Sequence, residues 1–321
     1  MLRYIVRRLL MLIPVLVGVA FVIFVLLYLT PGDPARIILG TQSTPETVKA
    51  LRAEMGLDDP FIVQFGRYLF NVFFRGDLGR TYVTKTLVTD EIMSAFPQTL
   101  KLAFWSVLLL SAVGIPVGIV SAIKQYSLLD NAVMLLAMIA TAMPVFWLGL
   151  LLILLFSVHL GWFPSSGFDT PMSMVLPCVA VATPSMAVVV RMTRSSMLEV
   201  IRQDYIRTAR AKGQKESVII LRHALINALI PIITIIGLQF GVALGGAVLT
   251  ESVFSIHGLG RLMVDGIKMR DYPLVQGGVL YTAFAFSVVN LFVDILYAYV
   301  DPRIKAQYQR AGGTKRTAPS R

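Results

Sequence analysis

Six separate apolar runs, each long enough to cross a bilayer, constrain this chain more than any other feature. The first, Leu9 to Leu29, holds 21 residues without a charge. At about 1.5 Å of helical rise per residue it spans roughly 30 Å of hydrocarbon. The others cover about 100–123, 132–158, 174–190, 224–249 and 274–300. In lipid every backbone N–H and C=O must find a partner inside the protein, and a lone run of this length does so only as a helix. The expected fold is therefore an all-α integral membrane protein with six transmembrane helices. Composition agrees: 56% of the 321 residues are hydrophobic and 15% charged, with a mean hydropathy of +0.74, outside the soluble range. Arg3, Arg7 and Arg8 before the first run imitate a signal peptide. That run is too long for one and lacks a small-residue cleavage site, so the helix is expected to stay.

Between the runs the chain divides unevenly. Residues 1–30 form the N-terminal helix, 31–99 a long amphipathic segment, 100–300 a five-helix core interrupted by a polar loop at 191–223, and 301–321 a basic tail. The net charge of +11 is spread over short segments between runs and at the ends, a positive-inside pattern rather than a nucleic-acid footprint. Eight bases lie in 191–222 and six in 303–321, whereas loop 159–173 has none and loop 251–274 balances three against three acids. Both termini and 191–223 are thus expected in the cytoplasm, with 31–99 outside.

Local signals refine this outline. Thr44 can cap a helix with Pro45 at its first position and Gly56 as its stop. Pro60 opens a second helix, whose Phe61, Phe65, Tyr68, Leu69 and Val72 share one face; packing against a neighbour or the membrane suits that stripe better than ligand binding. Gly76 to Gly79 reads as a turn. Pro116, Pro144, Pro177, Pro184 and Pro231 fall inside the core spans, fitting either tolerated kinks or a bundle that bends around a pathway. Gly237, Gly241 and Gly245 form a small-residue face that lets another helix approach.

Catalytic constellations are missing from the pattern. His159, His223 and His257 are scattered without metal-ligand spacing, and Cys178 is a lone thiol in an apolar run. No GxxxxGK loop, GxSxG elbow or HExxH helix occurs, so neither a bound cofactor nor a metal is expected on this chain. Asp294 stands well inside the last apolar run, with Asn290 one helical turn before it, and is read as an intramembrane anchor. If so, Asp294→Asn is milder than Asp294→Leu. Thr141, Thr183, Thr234 and Gln239 are polar groups within spans that could face a pathway.

The loop 191–223 is a polar island between two apolar spans. Ser195 or Ser196 can cap a helix with Leu198, Ile201, Tyr205 and Ala209 on one face and Arg202, Arg207 and Arg210 on the other, stopped by Gly213. A second short helix begins near Glu216. Spacing alone fits a basic helix resting on anionic lipid as well as one docked on another protein.

Particular residues break this tie. Arg207-Thr208-Ala209, then Gly213, Leu225 and Pro231, resemble the "EAA" coupling loop of ABC importer permeases. So do Met1 to Arg8 with Pro31-Gly32-Asp33-Pro34, Met192 to Met197, His257-Gly258-Leu259-Gly260-Arg261, Arg270-Asp271-Tyr272-Pro273 and Asp301-Pro302-Arg303. Together, over nearly the whole chain, they are similar to the first-named membrane subunit of the dipeptide/oligopeptide permease group. Arg207 replaces the general motif's Glu, and Ile226 its Pro.

The resemblance implies a non-catalytic transport subunit of the bacterial inner membrane. Asp204, Tyr205, Arg207, Thr208, Ala209, Arg210, Gly213 and Leu225 would couple it to two cytoplasmic ATPases, which bind the ATP and Mg. Its other implied partners are a homologous second permease and an extracytoplasmic substrate-binding protein. Segment 31–95 and loop 251–274 would meet that binding protein, with Gly258, Gly260 and Arg261 as outer-gate candidates. The same architecture also serves glutathione and nickel chelates. A standalone channel or secondary transporter is the reading from a different class.

Overall fold

A computed structural model describes residues 2–40 and 43–300; the basic tail 301–321 lies outside the described residues. Among the described residues the chain is helical, without a strand beyond one isolated antiparallel bridge between Arg80 and Leu87. The helices are α1 (Leu2–Leu29), α2 (Pro34–Leu39), α3 (Pro45–Glu54), α4 (Phe61–Phe70), α5 (Val88–Ile123), α6 (Leu128–Ala142) and α7 (Val145–Leu152). After them come α8 (Pro171–Ile201), α9 (Asp204–Ala211), α10 (Glu216–Val218), α11 (Leu225–Val253), α12 (Leu259–Met269) and α13 (Tyr272–Val300). Wider π-type turns continue α4 over Asn71–Arg75, α7 over Ile153–His159 and α10 over Ile219–Ala224.

Five of these helices are long and apolar enough to cross a membrane. The count becomes six if α6 and α7 with its π extension form one broken span. The span expected over 132–158 is thus divided at Pro144, one of the prolines expected to kink the core spans. The chain turns extended at Met143 (φ −80, ψ 124), the conformation that the following Pro144 imposes on its predecessor. Pro14 and Pro231, by contrast, stay inside continuous helices. The expected span ends also fell short: α5 starts at Val88 rather than near 100, and α8 runs to Ile201 rather than ending near 190.

The chain forms two compact units. The first comprises 1–104, 145–178 and 243–287. Within it the stripe of α4 packs on α1: Phe61 and Phe65 stand edge-on to Phe24 at 5.3 and 5.4 Å between ring centres. Leu16, Ala20 and Leu280 are buried with Phe65, Tyr68, Leu69 and Val72 against them. That is the packing role anticipated for the stripe. Thr44 caps α3 by accepting from the Thr47 N–H, also as its sequence suggests.

Of the described residues, the second unit comprises 105–144, 179–242 and 288–300. Its main core joins Ile119, Ala122, Met197, Ile206, Ile219, Ala224, Ala228 and Ile232. Helices α5 and α8 approach closely at Gly118, where an added Cβ would lie 2.6 Å from the Thr193 Cβ and 2.8 Å from the Val190 carbonyl. The small-residue face of α11 is used at Gly237, against the Val293 side chain, whereas Gly245 borders open space.

Candidate functional site

The polar island folds differently from its expected form at one end and as expected at the other. Ser195 and Ser196 do not cap a helix, because α8 continues through both to Ile201. A short break at Arg202 and Gln203 then starts α9 at Asp204. Gly213 follows α9 with φ +72, a left-handed conformation that suits glycine, and α10 begins at Glu216.

Ile206, fully buried, anchors α9 in the core of the second unit. Ala209 and Leu225 pack against the same cluster. Tyr205 is half-exposed, so the buried face centres one residue later than apolar spacing suggested. The spacing was read from a helix starting at Ser195 or Ser196, and the break at 202–203 resets the phase. Ile206 is therefore a residue that sequence reasoning missed; its signal was the Ile206–Ala209 pair, three apart within the new helix.

The opposite face of α9 is available. Asp204 and Arg207 are almost free of cover, with side chains 98% and 74% exposed and 3.6 Å between charged atoms. Arg210 pairs with Glu216 at 2.7 Å, tying α9 to α10 across Gly213. Thr208 turns its hydroxyl to the Asp204 carbonyl at 3.0 Å, and His223 meets Gln214 at 2.7 Å. Burial pushes the Tyr205 hydroxyl up, and its hydrogen bond with the Asn227 side chain offsets part of the shift. The result is a helix seated by Ile206 that presents an exposed polar surface.

In the first unit, a second arrangement surrounds the gate candidates. Glu251 is fully buried in the last turn of α11, just past the apolar run 224–249. Its carboxylate accepts the Thr99 hydroxyl at 2.6 Å and the Arg261 N–H at 3.0 Å, with a further hydrogen bond from the Gly260 N–H. Thr99 in turn accepts from the Leu259 N–H at 2.8 Å. Burial pushes the Glu251 carboxyl up, and these donors draw it partly back. A Cβ at Gly258 would fall on the Glu251 carboxylate, and one at Gly260 would sit 2.6 Å from Val248 Cα. Gly258 and Gly260 are therefore needed for close approach, and Gly258 itself is extended at φ −107. The Arg261 side chain points to Asp265 at 3.8 Å instead.

Two distant sequence motifs meet in the same unit. Arg270 donates to the Pro31 carbonyl at 2.7 Å, and Asp271 accepts from the Tyr82 and Val83 N–H groups at 3.0 and 3.3 Å. Segment 31–99 and segment 251–274 are thus joined by these hydrogen bonds.

Residues 114–306 match the family described as "Binding-protein-dependent transport system inner membrane component", and residues 1–103 match its N-terminal companion. The chain belongs to this family. Among its relatives, the dipeptide transport system permease protein DppB of Alkalihalophilus pseudofirmus is 43% identical over 95% of this chain and all of its own. The glutathione transport system permease protein GsiC of Pectobacterium atrosepticum is 44% identical over 95% and 99% of the two chains. The fold is also similar to a chain of the inward-facing MetNI methionine ABC transporter, with a TM-score of 0.53 at 21% identity over 65% of this chain and 96% of the other. The protein is thus a multi-pass membrane transport subunit rather than a catalyst.

The remaining candidate residues of this family member are dispersed. Thr183 and Thr234 bond their own helix carbonyls four residues back, at 2.7 and 2.8 Å. Thr141 bonds both Ala137 and Met138 carbonyls. Gln239 is half-buried. None of these contacts brings the four together. Asn290 lies on α13, while the Asp294 side chain lies outside the described residues.

Proposed function

We propose that this chain is the permease subunit of an ATP-driven importer, carrying di- or oligopeptides across the bacterial cytoplasmic membrane by alternating access. The observation that carries this reading is α9, in a family member: a helix seated by Ile206 whose exposed face, Asp204 and Arg207, has little to bind within the chain. It is the docking element for one of two ATPases, and Gly213 with α10 completes a two-helix plug. ATP and Mg belong to those ATPases, and a homologous second permease forms the other half of the pathway. In this reading 191–223 and both termini face the cytoplasm. The joined surface of 31–99 and 251–274 receives a substrate-binding protein.

Peptide as cargo is supported by the 43% identity to a dipeptide permease. Glutathione is the second reading, favoured by the 44% identity to a permease named for it; glutathione is itself a peptide, so one roomy path serves both. The test is purification of the tagged chain in mild detergent, followed by mass spectrometry. The expected result is co-purification of two ATPase copies and a second permease. A chain that purifies alone and moves substrate unaided would contradict the proposal.

A further inference from the structure

The run Met192 to Met197 has no part in the coupling surface just described, yet its Arg194 makes a many-stranded polar contact within the second unit. Arg194 Nε donates to Asp130 Oδ1 at 2.7 Å and Arg194 Nη2 to Asp130 Oδ2 at 2.7 Å, a two-pronged fork. Asp130 is 1% exposed. It also accepts the Ser121 hydroxyl and, on Oδ2, the Tyr126 N–H at 2.9 Å. One carboxylate therefore joins the end of α5, the turn at Tyr126, the start of α6 and the last third of α8. Tyr126 holds φ +65 within that turn.

Such a pair is an expensive way to hold helices together, since burying charge costs about as much as the pairing returns; its best-supported advantage is a fixed register. The fork specifies direction as well as distance, which an ammonium or an apolar contact does not. One turn before Arg194, Gly118 admits Val190 and Thr193 without space for a Cβ, so α5 and α8 are already in backbone contact. One turn after it, Met197 lies in the same core as Ile119, Ala122 and Ile206. The path from Asp130 to α9 is thus continuous: fork, α8, Met197, Ile206.

We infer that Asp130 and Arg194 are positioning residues for coupling, locking the 124–131 hairpin to α8 so that displacement of α9 moves the ends of α5, α6 and α8 as one body. This rests on the proposed docking role of α9. Without the fork, α9 still binds its partner, but its movement is lost in rotation of α8 against the hairpin.

The assembled transporter, reconstituted in proteoliposomes with its binding protein and a dipeptide, tests this with three variants: Asp130→Asn, Arg194→Gln and Arg194→Lys. Retained ATPase subunits and peptide uptake per ATP hydrolysed are both measured. The expected result is full ATPase retention with uptake per ATP reduced about tenfold for Asp130→Asn and Arg194→Gln, equivalent to roughly 1.4 kcal/mol of coupling. Arg194→Lys, which keeps the charge and loses the fork, falls between. Should single variants fail to accumulate, the double variant Asp130→Leu/Arg194→Leu removes both charges together, and it too is expected to assemble and uncouple. Unchanged uptake per ATP in assembled variants overturns the inference, as does a loss that merely tracks missing ATPases. If the unsubstituted chain retains no ATPase, the proposed function falls, and this inference with it.

Discussion

Glu251 and Thr99 are 152 positions apart in sequence and share a buried hydrogen bond of 2.6 Å. Through it the carboxylate at the end of α11 is fixed to α5, while its other oxygen holds the Arg261 N–H at the start of α12. Thr99 and Gly260 are buried, and an unsatisfied buried group costs about 1–3 kcal/mol. Glu251→Leu leaves several unpaired and is expected to lower the apparent Tm in detergent by many degrees. Glu251→Gln keeps one acceptor oxygen and is expected to lose less than half as much.

The same carboxyl gives a pH dependence. Burial raises its folded-state pKa above the ordinary 4.5, so between those values the folded protein holds more protons than the unfolded one. Its contribution to stability is complete below 4.5 and falls as pH rises through the folded-state value. Asp271, also raised by burial, acts in the same direction. The apparent Tm of the unsubstituted protein is expected to decline over this window more steeply than that of Glu251→Gln, measured side by side in matched buffers.

Gly258→Ala is expected to displace the Glu251 carboxylate, because the new methyl group has no free space. Gly245→Ala, on the preceding helix, meets nothing within 4 Å and should be neutral or slightly stabilising through helix propensity. Thermal unfolding and uptake assays on this pair separate close packing from glycine's conformational freedom. Equal behaviour of the two would remove the gate geometry as an explanation.

Ile206→Ala empties a fully buried site under α9 and is expected to cost about 2–5 kcal/mol locally. Ile206→Val should cost about 0.5–1.5 kcal/mol. Arg207→Ala touches an exposed side chain whose nearest charge is 3.6 Å away, and should leave the apparent Tm unchanged. Both Ile206→Ala and Arg207→Ala are nevertheless expected to weaken ATPase retention, the first by unseating the helix and the second by removing a contact. Retention measured beside Tm distinguishes those routes.

Much of the fold was legible because bilayer thickness writes itself into run length, as at Leu9 to Leu29. The ends of helices were not, since α5 and α8 extend beyond their apolar stretches through polar residues such as Asp90, Glu91, Arg191 and Arg194. Hydropathy is blind to helix in such segments. Proline was an ambiguous sign: Pro144 separates two helices and Pro231 does not, a difference set by neighbours rather than by the residue. In the polar island the Gly213 stop and the start near Glu216 were visible from local chemistry. Ile206 was hidden by a helix break at 202–203 that carries neither glycine nor proline. Glu251 was overlooked because it borders a polar loop, where an acid normally meets water; only the folded chain brings Thr99, Gly260 and Arg261 around it.

Whether α9 transmits work from an ATPase is decided by a substitution at Gly213. This residue has φ +72 with open space where a Cβ would sit, and proline, held at a φ of about −65, cannot adopt that conformation, so Gly213→Pro alters the backbone. In proteoliposomes containing the full transporter and its binding protein, substrate-stimulated ATP hydrolysis is measured for the unsubstituted and Gly213→Pro chains at matched insertion. The expected result is that stimulation disappears in Gly213→Pro while the chain remains inserted. Stimulation equal to that of the unsubstituted protein would contradict it.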